Sequence, residues 1–253
     1  GKAGVPPVAT GTKGRKARQS SQVLKAPQHS VFYANALGDY MGLMSYDPAT
    51  PTDVTTYAPF DKSLFNAGST IKDGKLCGLY LDQSMIEYGI IFLWYGWFDL
   101  ETGEYDGEVT NVSNRSLIAY ATATDPKTGE VFGEFTDQTM QSWEFGVVDY
   151  DTKTRTTIAE TDNLYLAMGI TSQGDCYGIT AMWDASGMAY SQGAVVDPKT
   201  DVFYWAATDA NGECTLYTVD LDDASVTRVC ASPYQQLALN VLLTRGKKMI
   251  PAK

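Results

Sequence analysis

Histidine is almost absent from this chain of 253 residues, which contains only His29. Metal sites that need several histidines are therefore excluded, and histidine-based catalysis would depend on a single residue. The sequence also lacks a Gly-x-Ser-x-Gly motif and a glycine-rich phosphate loop followed by a helix. We therefore expect neither a serine-type hydrolase nor an enzyme that binds dinucleotides or ATP.

Long apolar runs are missing as well. The longest covers residues 90–98, whereas a membrane-spanning helix needs about 20 residues, so we expect no membrane span. The opening Gly1-Lys2 is not followed by a hydrophobic segment, which favours a processed or engineered start.

Amphipathic helical periodicity is also scarce. Short runs rich in Val, Thr and Tyr recur instead, separated by Asp, Pro and Gly, and the chain contains 16 Tyr and 23 Gly. This pattern is typical of strands joined by turns, and it predicts an all-β fold.

Charge is distributed unevenly along the chain. The net charge is -11, from 30 acidic and 19 basic residues. Six of the basic residues precede position 26, and Asp39 is the first acid. We predict a flexible basic arm at 1–30 and a folded domain at 31–253. An acidic folded domain argues against nucleic acid as a partner.

A turn motif, Asp-x-x-Thr, recurs at Asp47, Asp99, Asp125, Asp149 and Asp197. The aspartate that opens such a turn accepts a hydrogen bond from a backbone N–H two residues later. The interval from Asp47 to Asp99 is 52 residues and that from Asp99 to Asp149 is 50, which is typical of a unit of about four strands. The period predicts a β-propeller, with a β-sandwich as the alternative.

The clearest unit covers residues 188–232, and a similar one covers 117–160. The interval between them predicts an abbreviated unit at 164–187. The first unit, starting at 31–36, lacks an inner strand. We predict that the apolar run 236–243 supplies that strand and closes a ring of about five four-stranded blades, one of them abbreviated.

Three segments carry a resemblance to a known family: "ATDPKTGEVFGEF" at 123–135, "VVDPKTDVFYWAATD" at 195–209 and "LYTVDLDDASVTRV" at 216–229. They resemble repeats of secreted bacterial β-propeller proteins, and the resemblance extends over about residues 31–232. It implies a secreted or surface-attached, adhesin-like protein, and it transfers no catalytic residue.

Five aromatic residues adjoin predicted loops and are candidates for stacking on sugar rings or anchoring a protein partner. They are Tyr40, Tyr57, Trp143, Trp183 and Tyr234. The alternative interpretation is half-buried packing.

Alternating carboxylates at Asp149 and Asp151, and at Asp220 and Asp222, suit a hard cation such as Ca²⁺. The alternative is a polar turn whose carboxylates bind their own backbone. We expect no other cofactor.

The four cysteines form no Cys-x-x-Cys pair. Cys214 and Cys230 flank a predicted hairpin and form a candidate disulfide. The alternative is two buried thiols that act as small apolar residues.

These features together predict a secreted or cell-surface recognition protein that binds a glycan or a protein at its loop face without catalysis. The alternative is a propeller glycoside hydrolase that uses paired carboxylates. The candidate carboxylates are Asp53, Asp61, Glu160, Asp162 and Asp184.

Overall fold

The computed structural model describes residues 28–62, 64–110, 112–136, 142–180 and 192–245. Within them, two short 3-10 segments lie at Ile86–Tyr88 and Val112–Leu117, and all other regular structure is β-strand. The strands are β1 (Gln28–Leu37), β2 (Gly42–Tyr46), β3 (Thr55–Pro59), β4 (Phe65–Lys72), β5 (Lys75–Asp82), β6 (Phe92–Asp99), β7 (Tyr105–Val109), β8 (Ala119–Thr124), β9 (Val131–Thr136), β10 (Trp143–Asp149), β11 (Thr154–Thr161), β12 (Tyr165–Ile170), β13 (Cys176–Thr180), β14 (Gly193–Asp197), β15 (Val202–Thr208), β16 (Cys214–Val219), β17 (Val226–Ser232) and β18 (Gln235–Arg245).

These strands form four antiparallel sheets of four strands and one pair. Blade 1 has the order β18-β1-β2-β3, blade 2 is β4 to β7, blade 3 is β8 to β11, and blade 5 is β14 to β17. Blade 4 is the pair β12-β13 in the part of the chain that is described.

The first strand of each blade faces the centre of a closed ring. The inner strands β18, β4, β8, β12 and β14 each lie beside the next, and β14 lies beside β18. Each of the five junctions between neighbouring blades holds its own cluster of buried apolar side chains. This arrangement is a β-propeller. The β-sandwich alternative is wrong, because a sandwich consists of two sheets packed face to face, whereas the described sheets are arranged around one axis.

The C-terminal strand closes the ring as the sequence predicts. β18 pairs antiparallel with β1, with Leu242 opposite Val31 and Leu237 opposite Asn35. Small residues let the inner strands approach closely: a Cβ on Gly193 of β14 would clash with the carbonyl oxygen of Gln236. The prediction of a strand supplied from the C-terminus is therefore confirmed, and no inner strand of the described ring lacks a neighbour.

The predicted units match the observed sheets closely. The second strand of blade 5 spans Val202–Thr208, as predicted, and its outer strand begins at Val226. The abbreviated unit corresponds to β12 and β13, and residues 181–191 lie outside the described part. The predicted basic arm at 1–30 also lies outside it, except for the first residues of β1.

The Asp-x-x-Thr motifs form the expected turns. In each of the five, the carboxylate accepts a hydrogen bond from the backbone N–H two residues later, at 2.8 to 3.0 Å. Several residues at this end of the ring also join neighbouring blades. Lys72 of blade 2 pairs with Asp151 of blade 3, and Asp201 of blade 5 accepts hydrogen bonds from Ser172, which follows β12, at 2.6 and 2.7 Å. The turns therefore contribute to the contacts between blades.

No helix among the described residues is long and apolar enough to cross a membrane.

Candidate functional site

A cavity of about 880 Å³ lies at the end of the ring where the inner strands begin. We call it the entry cavity. All five inner strands contribute to its wall, from Phe65 on β4 to Leu239 on β18. This volume falls in the range of sites for small ligands. The five-fold arrangement of inner strands therefore creates a binding-sized space on the ring axis.

The wall of the entry cavity is apolar, with hydroxyl, amide and guanidinium groups at intervals. The apolar groups include Phe65, Leu81, Ile118 and Met168. The polar groups are Asn66, Ser69, Gln83, Arg115, Ser116, Tyr120, Thr122, Thr136, Arg155 and Gln192. No carboxylate, histidine or cysteine lines the cavity in the described part of the chain. The described wall therefore has hydrogen-bonding groups but no acid–base pair.

Hydrogen bonds between blades fix the cavity floor. The Asn240 side-chain amide donates to the Ser69 hydroxyl at 3.0 Å, which joins blade 1 to blade 2. The Ser69 N–H donates to the Thr122 hydroxyl at 2.9 Å, and that hydroxyl donates to the Ser69 carbonyl at 3.1 Å, which joins blade 2 to blade 3. These groups are mutually satisfied, so the floor is held rigid rather than left open to rearrangement.

The two arginines in the wall differ in their surroundings. Arg155 is mostly buried, and its guanidinium donates to Glu144 at 2.6 Å and to the Thr136 carbonyl at 3.2 Å, while lying 4.8 Å above the Phe135 ring. Its charge is therefore compensated and its position fixed. Arg115 is exposed, and its side chain makes no ion pair or hydrogen bond with any described residue.

A smaller cavity of about 310 Å³ lies at the opposite end of the inner strands. Its wall includes Ile71, Ile170, Val196 and Leu242, and no charged residue of the described part lines it. It shares Thr122, Met168, Ala194 and Leu239 with the entry cavity. With few polar groups, it offers little to orient a ligand.

Three of the five predicted aromatic residues lie together on blade 1, outside the entry cavity. Tyr40 and Tyr234 pack with their ring centroids 5.5 Å apart. The Tyr40 hydroxyl donates to the Leu43 carbonyl at 2.7 Å, and the Tyr57 hydroxyl lies 2.8 Å from that of Ser45. These contacts match the alternative of half-buried packing.

The other two aromatic residues are separate from that group. Trp143 begins β10 on blade 3 and is partly buried, and Trp183 lies outside the described residues. A ligand-binding role for any of the five stays a prediction.

The predicted calcium ligands bind their own turns. Asp149 accepts hydrogen bonds from the N–H groups of Asp151 and Thr152, at 2.8 and 3.1 Å, and Asp220 accepts one from the N–H of Asp222 at 2.8 Å. The bond from Thr152 holds the pKa of the Asp149 carboxyl below its usual value. Among the described residues, no group of three or more His, Cys, Asp or Glu side chains is placed to hold a metal ion.

The candidate disulfide is not formed, and all four cysteines are free. Cys214 lies opposite Ser232, and Cys230 lies opposite Leu216, because a bulge between Leu216 and Tyr217 shifts the register. The two thiols are therefore diagonal neighbours rather than a directly facing pair. Burial raises the pKa of both thiols, which fits the alternative of two apolar-like thiols, and a disulfide between them stays a prediction.

The carboxylates proposed for a glycosidase do not meet at the entry cavity. Asp53, Asp61, Glu160 and Asp162 are exposed and none lines the cavity, and Asp184 lies outside the described residues. The paired carboxylates that such an enzyme requires are therefore not found among the described residues of this wall.

Glu134 on β9 is a buried carboxyl that the sequence did not single out. It is fully buried, its Oε1 accepts a hydrogen bond from the Thr161 hydroxyl at 2.5 Å, and its Oε2 has no partner among the described residues. Burial raises the pKa of this carboxyl to about 7, and hydrogen bonds from Thr161 and the Tyr165 backbone oppose that rise. The Cys176 thiol lies close enough to be affected: burial, and then the charge of Glu134, raise the pKa of that thiol.

An apolar segment lies beside the rim of the entry cavity. The connection from β5 to β6 starts at Gln83, which lines the cavity, and exposes several large apolar side chains. They are Met85, Ile86, Tyr88, Ile90 and Ile91, and the first residue of β6, Phe92, is exposed beside them. Tyr88 is 74% exposed. Exposed apolar groups in such number on one connection are typical of an interaction surface.

Sequence reasoning missed the entry cavity and Arg115. A lone arginine in the polar stretch 110–116 gives no local signal. The signal that could have found it is positional: this stretch leads directly into the inner strand β8, and the segments that lead into inner strands surround the mouth of a closed ring.

No family model matches this chain, and no curated protein matches it. Solved structures do. A nidogen–laminin complex has a chain that is similar over 86% of this chain and 98% of its own length, with 10% identity and a TM-score of 0.48. TolB from Acinetobacter baumannii is similar over 82% of this chain and 54% of its own, with 10% identity and a TM-score of 0.42. The β-propeller domain of the Trilobed protease from Pyrococcus furiosus is similar over 69% and 45%, with 9% identity and a TM-score of 0.27.

Proposed function

We propose that this chain is a secreted or surface-attached recognition protein that binds its ligand in the entry cavity without transforming it. The observation that carries this function is the cavity itself: about 880 Å³, walled by all five blades, apolar with spaced hydroxyl and amide groups. A concave, largely apolar site with a few orienting polar groups is suited to a small ligand or the end of a larger one. The location rests on the resemblance of the repeats to secreted propellers.

Binding is favoured over catalysis by what the described wall contains. General acid–base catalysis needs a titratable side chain within hydrogen-bond reach of the reacting atoms. The described wall offers only hydroxyls, amides and two guanidinium groups, which stay protonated at all relevant pH values. Such groups orient and hold a ligand, and none of them transfers a proton near neutral pH.

A glycan array with a cavity-blocking variant tests this function. Ser116 is exposed and lines the cavity, so Ser116→Trp should fill the mouth without disturbing the core. Ser225→Trp is the matched control, because Ser225 is also exposed but lies in the turn between β16 and β17, outside the cavity wall. We expect a selective, saturable ligand for the native chain, at least about tenfold weaker binding for Ser116→Trp, and unchanged binding for Ser225→Trp. Native affinity in Ser116→Trp would place the ligand elsewhere.

A second candidate function, adhesion to a protein, is favoured by the exposed apolar side chains between Met85 and Phe92. Apolar side chains at the centre of an interface provide much of its binding energy. The test is retention of proteins from surface extracts by the native chain and by the double variant Ile86→Ser, Tyr88→Ser. This function would be favoured over the first if no glycan on the array binds, and if the native chain retains a protein that the double variant does not retain.

A further inference from the structure

Acidic residues do not line the entry cavity in the described part of the chain. Thirty of the 253 residues are Asp or Glu, yet none of the described residues in the wall is acidic. The wall does include Arg115 and Arg155. A cavity with low-dielectric walls and one sign of charge concentrates ligands of the opposite sign. The described part of the wall is therefore positively charged, whereas the protein as a whole is negatively charged.

Among the described residues of the wall, Arg115 is the cation available to a ligand. Three other basic side chains pair with carboxylates: Lys72 with Asp151, Lys153 with Glu108, and Arg155 with Glu144. Arg115 has no such partner in the part of the chain that is described. Its short segment Val112–Leu117 leads into the inner strand β8 and so holds it at the mouth. A planar guanidinium with two parallel donors fits a carboxylate with two acceptors.

The other wall groups suit a saccharide. Phe65 is 41% exposed at the start of β4 and presents an apolar ring at the mouth. Ser116, Thr136 and Asn66 place hydroxyl and amide groups around the same space. Sugar rings combine apolar faces, which pack on aromatic side chains, with hydroxyls that need donors and acceptors. A cavity of about 880 Å³ has room for a few such rings.

We infer that the ligand of the entry cavity is an acidic oligosaccharide, whose carboxylate pairs with Arg115 while its rings pack against Phe65. This inference rests on the proposed function, since it names the ligand class of the same cavity. Arg155 also forms part of the wall, but its guanidinium is paired with Glu144. The ligand carboxylate therefore pairs with Arg115. Sialylated and uronate-containing oligosaccharides share this chemistry.

The experiment compares matched charged and neutral saccharides on the full chain. The pairs are sialyllactose with lactose, and tetragalacturonate with its methyl ester, measured by calorimetry. We expect at least one acidic member to bind, and its neutral partner to bind at least about tenfold more weakly. Raising NaCl from about 50 to 500 mM should weaken the acidic ligand several-fold. The pair that responds distinguishes the two sources of the carboxylate.

Variants assign the charge preference to one residue. Arg115→Ala should weaken the acidic ligand at least about tenfold and leave the neutral partner unchanged, and Arg115→Lys should restore part of the loss. Arg228→Ala is the matched control, because Arg228 is exposed on the outer strand β17, away from the cavity. Thermal melts of each variant check that the fold is retained.

The outcomes separate this inference from the proposed function. Equal binding of charged and neutral partners, full affinity in Arg115→Ala, or no binding by either acidic saccharide would overturn the acidic ligand. Binding of an acidic peptide in place of both saccharides would overturn it too. In each of these cases, the proposed function would still stand if the native chain binds another ligand and Ser116→Trp weakens that binding. If Ser116→Trp leaves the binding of the ligand unchanged, both the acidic ligand and the proposed cavity function would be overturned.

Discussion

Ser30 and Asp197 form a buried hydrogen bond across the closure of the ring. The Ser30 hydroxyl donates to Asp197 Oδ1 at 2.5 Å, and both residues are only 3% exposed. Ser30 lies on β1 of blade 1, and Asp197 ends β14 of blade 5. The same carboxylate accepts a hydrogen bond from the Lys199 N–H at 3.0 Å. The aspartate that stabilises this Asp-x-x-Thr turn therefore also joins blade 5 to blade 1.

The first prediction concerns this hydrogen bond. Ser30→Ala leaves the buried Asp197 carboxylate with one partner fewer, so we expect the free energy of unfolding to fall by about 1 to 3 kcal/mol. Urea denaturation measures it. Thr227→Val is the control, since it removes an exposed hydroxyl from the outer strand β17 and should change stability by less than about 0.5 kcal/mol. Equal stability of Ser30→Ala and the native chain would contradict a closing role.

The second prediction concerns the C-terminal strand. A chain that ends at Tyr234 lacks β18, so β1 loses its partner, the ring opens, and an unpaired strand edge is exposed. We expect such a chain to lose cooperative thermal unfolding and to aggregate, as measured by circular dichroism and gel filtration. A chain that ends at Arg245 keeps the whole strand and should behave as the native protein does. A monomeric, cooperatively melting chain without β18 would contradict closure by this strand.

Local chemistry explains why the turns and the closing strand could be predicted. An aspartate at the start of a turn satisfies backbone groups within three residues, so Asp197 signals its turn without knowledge of the fold. The run 236–243 is apolar and had no partner in its own unit, and a first unit without an inner strand offered one place for it. Both inferences needed only the sequence period and the need to bury apolar strands.

Features set by register and by distant contacts could not be predicted. The bulge beside Leu216 shifts the pairing of β16 with β17, and no residue in either strand signals it. In the sequence, Glu134 cannot be distinguished from an exposed acidic residue on a strand. Its burial depends on the packing of blade 4 over it, which no local pattern indicates. Arg115 acquires its place at the cavity mouth only when five separate strands assemble around one axis.

The third prediction is that calcium does not stabilise the protein. The carboxylates of Asp149 and Asp220 are occupied by backbone N–H groups of their own turns. A calcium site present at 100 times its Kd would add about 2.7 kcal/mol, which is several degrees in a chain of this length. We expect equal melting temperatures in calcium and in chelator. A rise that Asp149→Asn or Asp220→Asn abolishes would establish the corresponding turn as a calcium site.

The fourth prediction follows from the burial of Glu134. Its pKa is about 7 in the folded protein, above the ordinary value of 4.5, so the folded state binds more protons than the unfolded state between these values. Stability contributed by the neutral carboxyl is therefore fully present below about pH 4.5 and is lost as the pH rises through 7. The loss is on the order of 3 kcal/mol, from 1.36 kcal/mol for each unit of pKa difference.

Glu134→Gln tests this linkage, because the amide keeps the shape of the neutral carboxyl and cannot ionise. We expect urea denaturation to show the native chain losing stability between pH 5 and pH 8 relative to the variant, with the two curves parallel above pH 8. Glu160→Gln is the matched control, since Glu160 is exposed on β11 and should leave the pH profile of the native chain unchanged. Parallel profiles for Glu134→Gln and the native chain across this range would mean that the buried carboxyl does not titrate there. A profile that converges toward high pH would reverse the sign and would indicate that the folded protein stabilises the charged form.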